Sequence, residues 1–194
     1  MAIDAKKVLV GAPDQSATTG AVNYAATTAT LPTDATSTLG NGFTSCGYVS
    51  EEGLTISTDY GTVPIKDWSK STIRTLLDEF TGEVTFSFIQ TDYESLCAIF
   101  GAEYVTKTNA TSSHGEQITV KIGAHLATPK AYVFNMKDGD ARVRVVLPNA
   151  TPKLNGDLTF VAGEAINWAV LLDCGADASG ESIYIYTDDG VTSA

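Results

Sequence analysis

Apolar and polar positions alternate with a period of two along most of the chain after Phe43. Val84, Phe86 and Phe88 project to one side of an extended backbone while Thr85 and Ser87 project to the other, the signature of a half-buried strand. The preceding run from Thr72 to Phe80 is also strand-like. Ile118, Val120 and Ile122 alternate with Gln117, Thr119 and Lys121, and Tyr132, Phe134 and Met136 form a further face. Asp138-Gly139 then separates this run from one that sets Val143, Val145 and Leu147 against Arg142 and Arg144. An Asp-Gly pair in that place predicts a hairpin, because glycine supplies the positive φ of a two-residue turn. Ile166, Trp168, Val170 and Leu172 share one face, and Ile183 and Ile185 share another beside Tyr184 and Tyr186. Strands recur about every ten residues with no β–α alternation, which predicts a mainly β sandwich or barrel.

Three segments depart from that rhythm. Residues 4–10 read as an opening strand with Val8 and Val10 on one face. Residues 11–42, rich in Thr, Ala, Ser and Gly, show little sustained period and predict an extended arm, with a turn at Leu31-Pro32-Thr33-Asp34. Thr91-Asp92-Tyr93-Glu94 has the form of a capping box, in which the Thr91 hydroxyl and the Glu94 carboxylate each satisfy a free backbone N–H. Leu96, Ile99 and Phe100 follow at helical spacing and Gly101 supplies the stop. A helix this short draws its stability from packing on a sheet.

Composition narrows the function classes. The 194 residues are expected to form a single domain, 1–194, with apolar content of 43% enough for a real core. Acidic residues number 23 against 12 basic ones, a net charge of −11. Phosphate binding runs on Lys and Arg and the counterions they release, so this chain has no long-range attraction for nucleic acid. Cys46, Cys97 and Cys174 lie far apart and lack C-x-x-C spacing, which predicts three small buried hydrophobes in a reducing compartment. Neither a signal peptide nor an apolar run of membrane-spanning length is read, so no membrane partner is expected.

Candidate chemistry fails on spacing. His114 and His125 have no His, Cys or carboxylate at a metal-ligand interval. Neither a G-x-S-x-G elbow nor a phosphate-cradling G-x-x-x-x-G-K-[ST] loop occurs. Asp138-Gly139-Asp140 and Asp188-Asp189-Gly190 lack the alternate carboxylates and the later bidentate Glu of a calcium loop, and read as turns. Glu51-Glu52 and Asp78-Glu79 are sequence neighbours that face opposite ways on a strand and would share no substrate. The chain therefore reads as a non-enzyme with no catalytic residue, no metal site and no cofactor.

One ordered run carries a family resemblance. Gly47-Tyr48-Val49-Ser50-Glu51-Glu52-Gly53-Leu54 places an aromatic-centred strand before an acidic turn closed by Gly53. Ile65-Lys66-Asp67-Trp68, the Thr72–Phe80 strand, the Glu83–Phe88 strand and the capped helix ending at Gly101 follow in order. Across Phe43 to Gly101 this resembles the major tail protein, or tail tube subunit, of long-tailed non-contractile bacteriophages. The resemblance implies a β-sandwich/barrel-type tail tube fold with one short flanking α-helix and long loop arms. It implies a structural virion protein that self-assembles into hexameric rings, whose inner sheets join into a barrel and which stack into a tube around a tape-measure protein. Tail tip or baseplate proteins and a tail terminator are the further implied partners, with DNA passing through the lumen unbound. Localisation would be the virion tail, and the host cytoplasm during assembly.

By position, about 59–71 matches the family's long loop that reaches onto the next ring. Asp59, Tyr60, Pro64, Ile65, Lys66, Asp67 and Trp68 are thus the expected ring-stacking residues, with Trp68 as the aromatic anchor. An immunoglobulin-like C-terminal domain, which the family often appends, is not expected. Ring-forming tube proteins of contractile tails and of type VI secretion systems share the fold and remain alternatives, as does a ring-forming terminator. A β-sandwich carbohydrate-binding module using Tyr184, Tyr186 and Trp168 is the alternative from a different class.

Overall fold

A computed structural model describes residue 4 and residues 7–14 and 20–192 of the chain. The chain is mainly β, with strands β1 (Val22–Ala26), β2 (Thr44–Ser45), β3 (Thr55–Lys66) and β4 (Thr72–Phe88) preceding helix α1 (Tyr93–Phe100). Strands β5 (Val105–Thr108), β6 (Gln117–Val120), β7 (Lys130–Asp138), β8 (Ala141–Leu154), β9 (Trp168–Gly175) and β10 (Tyr184–Asp188) follow. All pairings are antiparallel, in the order β2-β1-β7-β8-β9-β4-β3, with β10 added to β8 and β5-β6 forming a separate small sheet.

The long strand β8 makes the sheet fold over. One of its edges pairs with β7 along Ala141–Ala150; the other carries β10 along Arg142–Val146 and β9 along Asn149–Leu154. The change of partner coincides with a bulge against β7 at Pro148-Asn149, between the Tyr132↔Leu147 and Lys130↔Ala150 pairs. Proline lacks the N–H of a regular ladder, so this is where a strand tolerates it. Phe86 of β4 meets Phe134 of β7 edge to face at 5.2 Å, although β8 and β9 separate the two along the sheet. The two halves therefore face each other as layers, and their shared interior holds Val84, Phe86, Phe88, Phe134, Leu147 and Leu172.

Helix α1 closes one side of that interior. Leu96, Cys97 and Ile99 are buried, Phe100 packs edge to face on Trp168 at 6.1 Å, and the Tyr132 hydroxyl donates to the Ala98 carbonyl. The cap falls one residue later than the capping-box reading places it. Asp92 is the N-cap, accepting the Ser95 N–H at 2.7 Å, while Thr91 Oγ1 accepts the Trp168 indole N–H at 2.9 Å. Glu94 lies in the first turn and accepts the Tyr24 hydroxyl at 3.1 Å instead of closing a box. With the Thr91 hydroxyl held by Trp168, the cap falls to Asp92, whose carboxylate also accepts from Gln90 Nε2.

Several local expectations change. Residues 7–10 form no strand, and Val8 and Val10 are both exposed; Ala5 and Lys6 of that reading lie outside the described residues. Within the expected 11–42 arm, β1 is an interior strand, paired along its length with β7 and against β2. Its return loop is pinned by buried Arg144, whose Nε donates to Asn135 Oδ1 at 2.7 Å and whose Nη1 donates to the Asp34 carbonyl at 2.9 Å. The Asp34 carboxylate accepts the Thr36 and Ser37 N–H groups, which fixes the turn. Val49 makes only a lone bridge to Phe88 where an aromatic-centred strand is expected. Gly139, at φ 59, turns β7 into β8 as the Asp-Gly signal predicts.

Phe86→Ala is expected to lower unfolding free energy by about 3–5 kcal/mol, since both Phe88 and Phe134 pack on that ring. Asp92→Ala should cost about 1 kcal/mol through the lost cap. Urea denaturation of the purified subunit measures both.

Candidate assembly surface

Strand β9 covers β4 only along Gly82–Phe88, and among the described residues no strand pairs with the outer edge of β3. From Gly82 outward β3 and β4 pair with each other alone, as far as Lys66↔Thr72. Ten residues of strand at about 3.3 Å each carry this ribbon roughly 30 Å beyond the body. Asp59–Lys66 is therefore strand where the sequence reading expects loop, and Thr72–Phe80 and Glu83–Phe88 merge into one 17-residue strand.

The ribbon exposes apolar side chains on both faces. Face assignment follows from register. Tyr60, Thr62, Pro64 and Lys66 continue the core-facing side of Ile56, opposite Phe80, Leu77, Thr75 and Thr72. Tyr60 and Phe80 pack on each other at 5.1 Å, yet remain 60% and 38% exposed. The other side carries Asp59, Gly61, Val63 and Ile65 opposite Thr81, Glu79, Leu76 and Arg74. Two register shifts leave Asp78 and Ile73 as extra residues in β4. Such bulges sharpen the twist of a ribbon and spoil its edge as a template for indiscriminate pairing. Pro64, without an N–H, sits where only an edge strand accepts it.

The tip is an ordered turn. The Asp67 carboxylate accepts from the Ser69 hydroxyl at 2.7 Å and the Ser71 N–H at 2.9 Å, and Lys70 takes φ 66. Those hydrogen bonds, the Ser69 hydroxyl first, hold the Asp67 carboxyl below the ordinary aspartate value. Trp68 stands at the apex fully exposed.

All seven predicted stacking residues, Asp59, Tyr60, Pro64, Ile65, Lys66, Asp67 and Trp68, thus lie on one hairpin. Sequence reasoning read Thr72–Phe80 as a strand but left it out of the stacking surface, although Ile73, Leu76, Leu77 and Phe80 are exposed there as well. Their spacing, apolar at three- and four-residue steps inside a strand-like run, was the available signal of bulges. A two-stranded ribbon alone is marginally stable in water. Contiguous exposed apolar surface of this kind marks a contact site.

Among the described residues no three His, Cys, Asp or Glu side chains are grouped to hold a metal. His125 stacks on Tyr104 at 3.6 Å, and His114 Nδ1 bonds the Gly115 carbonyl. Cys97 is buried and Cys46 and Cys174 half-buried; all three are free, and burial raises each thiol pKa, that of Cys174 to about 12. Tyr184 and Tyr186 stack on each other at 6.1 Å, and the Tyr184 hydroxyl donates to Asp177. Among the described residues no helix is long and apolar enough to cross a membrane.

A family model described as phage tail tube protein matches residues 1–192, and the chain belongs to that family. No curated protein matches it. The chain is a structural protein of the phage tail tube, and the family places it in the virion tail.

Trp68→Ala should leave the stability of the isolated subunit within about 0.5 kcal/mol of wild type, because the side chain touches nothing in its own fold. Calorimetry of the monomer checks this. The Asp67 carboxyl titrates lower when folded, so its hold on the turn is present above the ordinary value of 3.8 and is lost as pH falls through the lower folded value. The Ser71 amide resonance should report that loss on acidification, and Asp67→Ala should abolish the response.

Proposed function

We propose that this phage tail tube protein forms hexameric rings that stack through the β3–β4 hairpin into a hollow tube for DNA ejection. The observation that carries the reading is the ribbon beyond Gly82, which exposes Tyr60, Trp68, Leu77 and Phe80 with no third strand beside it among the described residues. A ring built from head-to-tail contacts closes in its plane, and a second, projecting surface propagates the filament. Asp59, Tyr60, Pro64, Ile65, Lys66, Asp67 and Trp68 are the proposed stacking residues, joined by Leu76, Leu77 and Phe80 of the return strand. The tube would enclose a tape-measure protein and end on tip or baseplate proteins and a terminator.

The face of the β8-β9-β4-β3 layer turned away from the core supports the conduit. Register places Ser57, Glu83, Asp173 and Thr151 in one row across it, with Asp59 and Thr81 in the next. Lys153, on the same face, is ion-paired with Asp173. Small hydroxyls and carboxylates offer phosphate no cation and bases no aromatic platform, so DNA slides past such a wall without being held.

Replacing Asp59–Thr81 by an Asn-Gly turn between Thr58 and Gly82 tests the reading. The expected product is a folded monomer with an unchanged core, while wild type gives hollow tubes by electron microscopy, alone or on preformed tail tips. Tubes from the shortened chain would refute the hairpin's role.

A further inference from the structure

An apolar cleft of about 190 Å³ opens between the two layers, lined by Val22, Val49, Leu54, Phe86, Phe134 and Met136 together with Ser50 and Glu51. It is smaller than the roughly 300–1,000 Å³ of a small-molecule site and on the scale of one large side chain. Ser50 Oγ is buried and has no hydrogen-bond partner, the single such side-chain atom among the described residues. A buried hydroxyl in that state has lost water and gained nothing in return. The cleft therefore suits an apolar group with one polar edge that the Ser50 hydroxyl can bond.

The chain itself offers that group. Indole is an apolar body with a single N–H donor and no acceptor. Trp168 has already committed its N–H to Thr91, whereas Trp68 is 103% exposed on a turn that Asp67 holds in shape. A pre-ordered anchor loses little conformational entropy on docking. The tip also carries Lys66 and Lys70, and the cleft rim carries Glu51 next to exposed Glu52. Charge and shape thus agree. Roughly 45 Å of paired strand separates the tip from the Phe86 end of β4, so the two cannot meet within one chain.

We propose that Trp68 of one subunit seats in the interlayer cleft of a second copy, where rotation of the Ser50 side chain brings Oγ out to accept the indole N–H, with Lys70 against Glu51 and Glu52. This rests on the tube reading and names the receiving site. A photoreactive benzophenone side chain at position 68 should crosslink, in tubes only, to peptides containing Val49–Leu54 or Met136 of another copy. Wild-type emission from Trp68, taken as the difference from Trp68→Phe, should shift to the blue on assembly. Trp68→Phe and Ser50→Ala should each raise the critical concentration for assembly about three- to tenfold, and the double variant no further. Crosslinks elsewhere in well-formed tubes, an unshifted Trp68 emission, or multiplicative effects in the double variant would overturn the docking while leaving the tube reading intact. Failure of wild type to assemble even on tail tips would overturn the tube reading itself.

Discussion

A two-stranded ribbon has no interior, and that constraint governs the rest of this molecule. Once β3 and β4 leave the cover of β9 at Gly82, every side chain they carry faces water on one side or the other. Cross-strand pairs such as Tyr60–Phe80 offset part of the exposure, but among the described residues no third strand or helix shares it. The subunit therefore keeps apolar surface that its own fold cannot bury. A tube subunit needs such a surface, because the free energy of association comes from what the monomer leaves uncovered.

The body is built to support that projection. Strand β4 is continuous from the exposed Thr72 to the fully buried Phe88, so the ribbon grows directly out of the core. Its inner end is clamped by Phe86 against Phe134 across the layers and by the ladder to β9. Strand β8 joins the layers by changing partners at Pro148, and α1 covers the side that would otherwise open. Rigid anchoring at one end lets a load on the tip reach the core through backbone hydrogen bonds.

Where side chains alternate and one face is buried, the elements are plain from the residues: Val84-Phe86-Phe88, Tyr132-Phe134, the Asp138-Gly139 turn and the Ile166–Leu172 face all occupy their expected places. Strand β1 was hidden because three of the six residues of Ala21–Ala26 are Ala and one is Asn, poor strand formers, and its strand state comes from pairing with β7 across more than a hundred residues. The cap was displaced because tertiary partners decided it: Trp168 claimed the Thr91 hydroxyl and left Asp92 to the helix. The hairpin was half legible. Bulges at Asp78 and Ile73 break the period of two, and exposure on both faces removes the burial that would have imposed one. Trp68 stood out as a large aromatic among polar neighbours; its position at the apex of a hydrogen-bonded turn did not.

Hydrogen–deuterium exchange on the soluble subunit and on assembled tail tubes tests the central claim most directly. The account predicts that amides of residues 58–81 exchange quickly in the subunit and become strongly protected in the tube, while β7 and β8 stay protected in both. Equal, fast exchange of residues 58–81 in the two states would contradict it, because the ribbon would then remain uncovered in the assembly it is proposed to build.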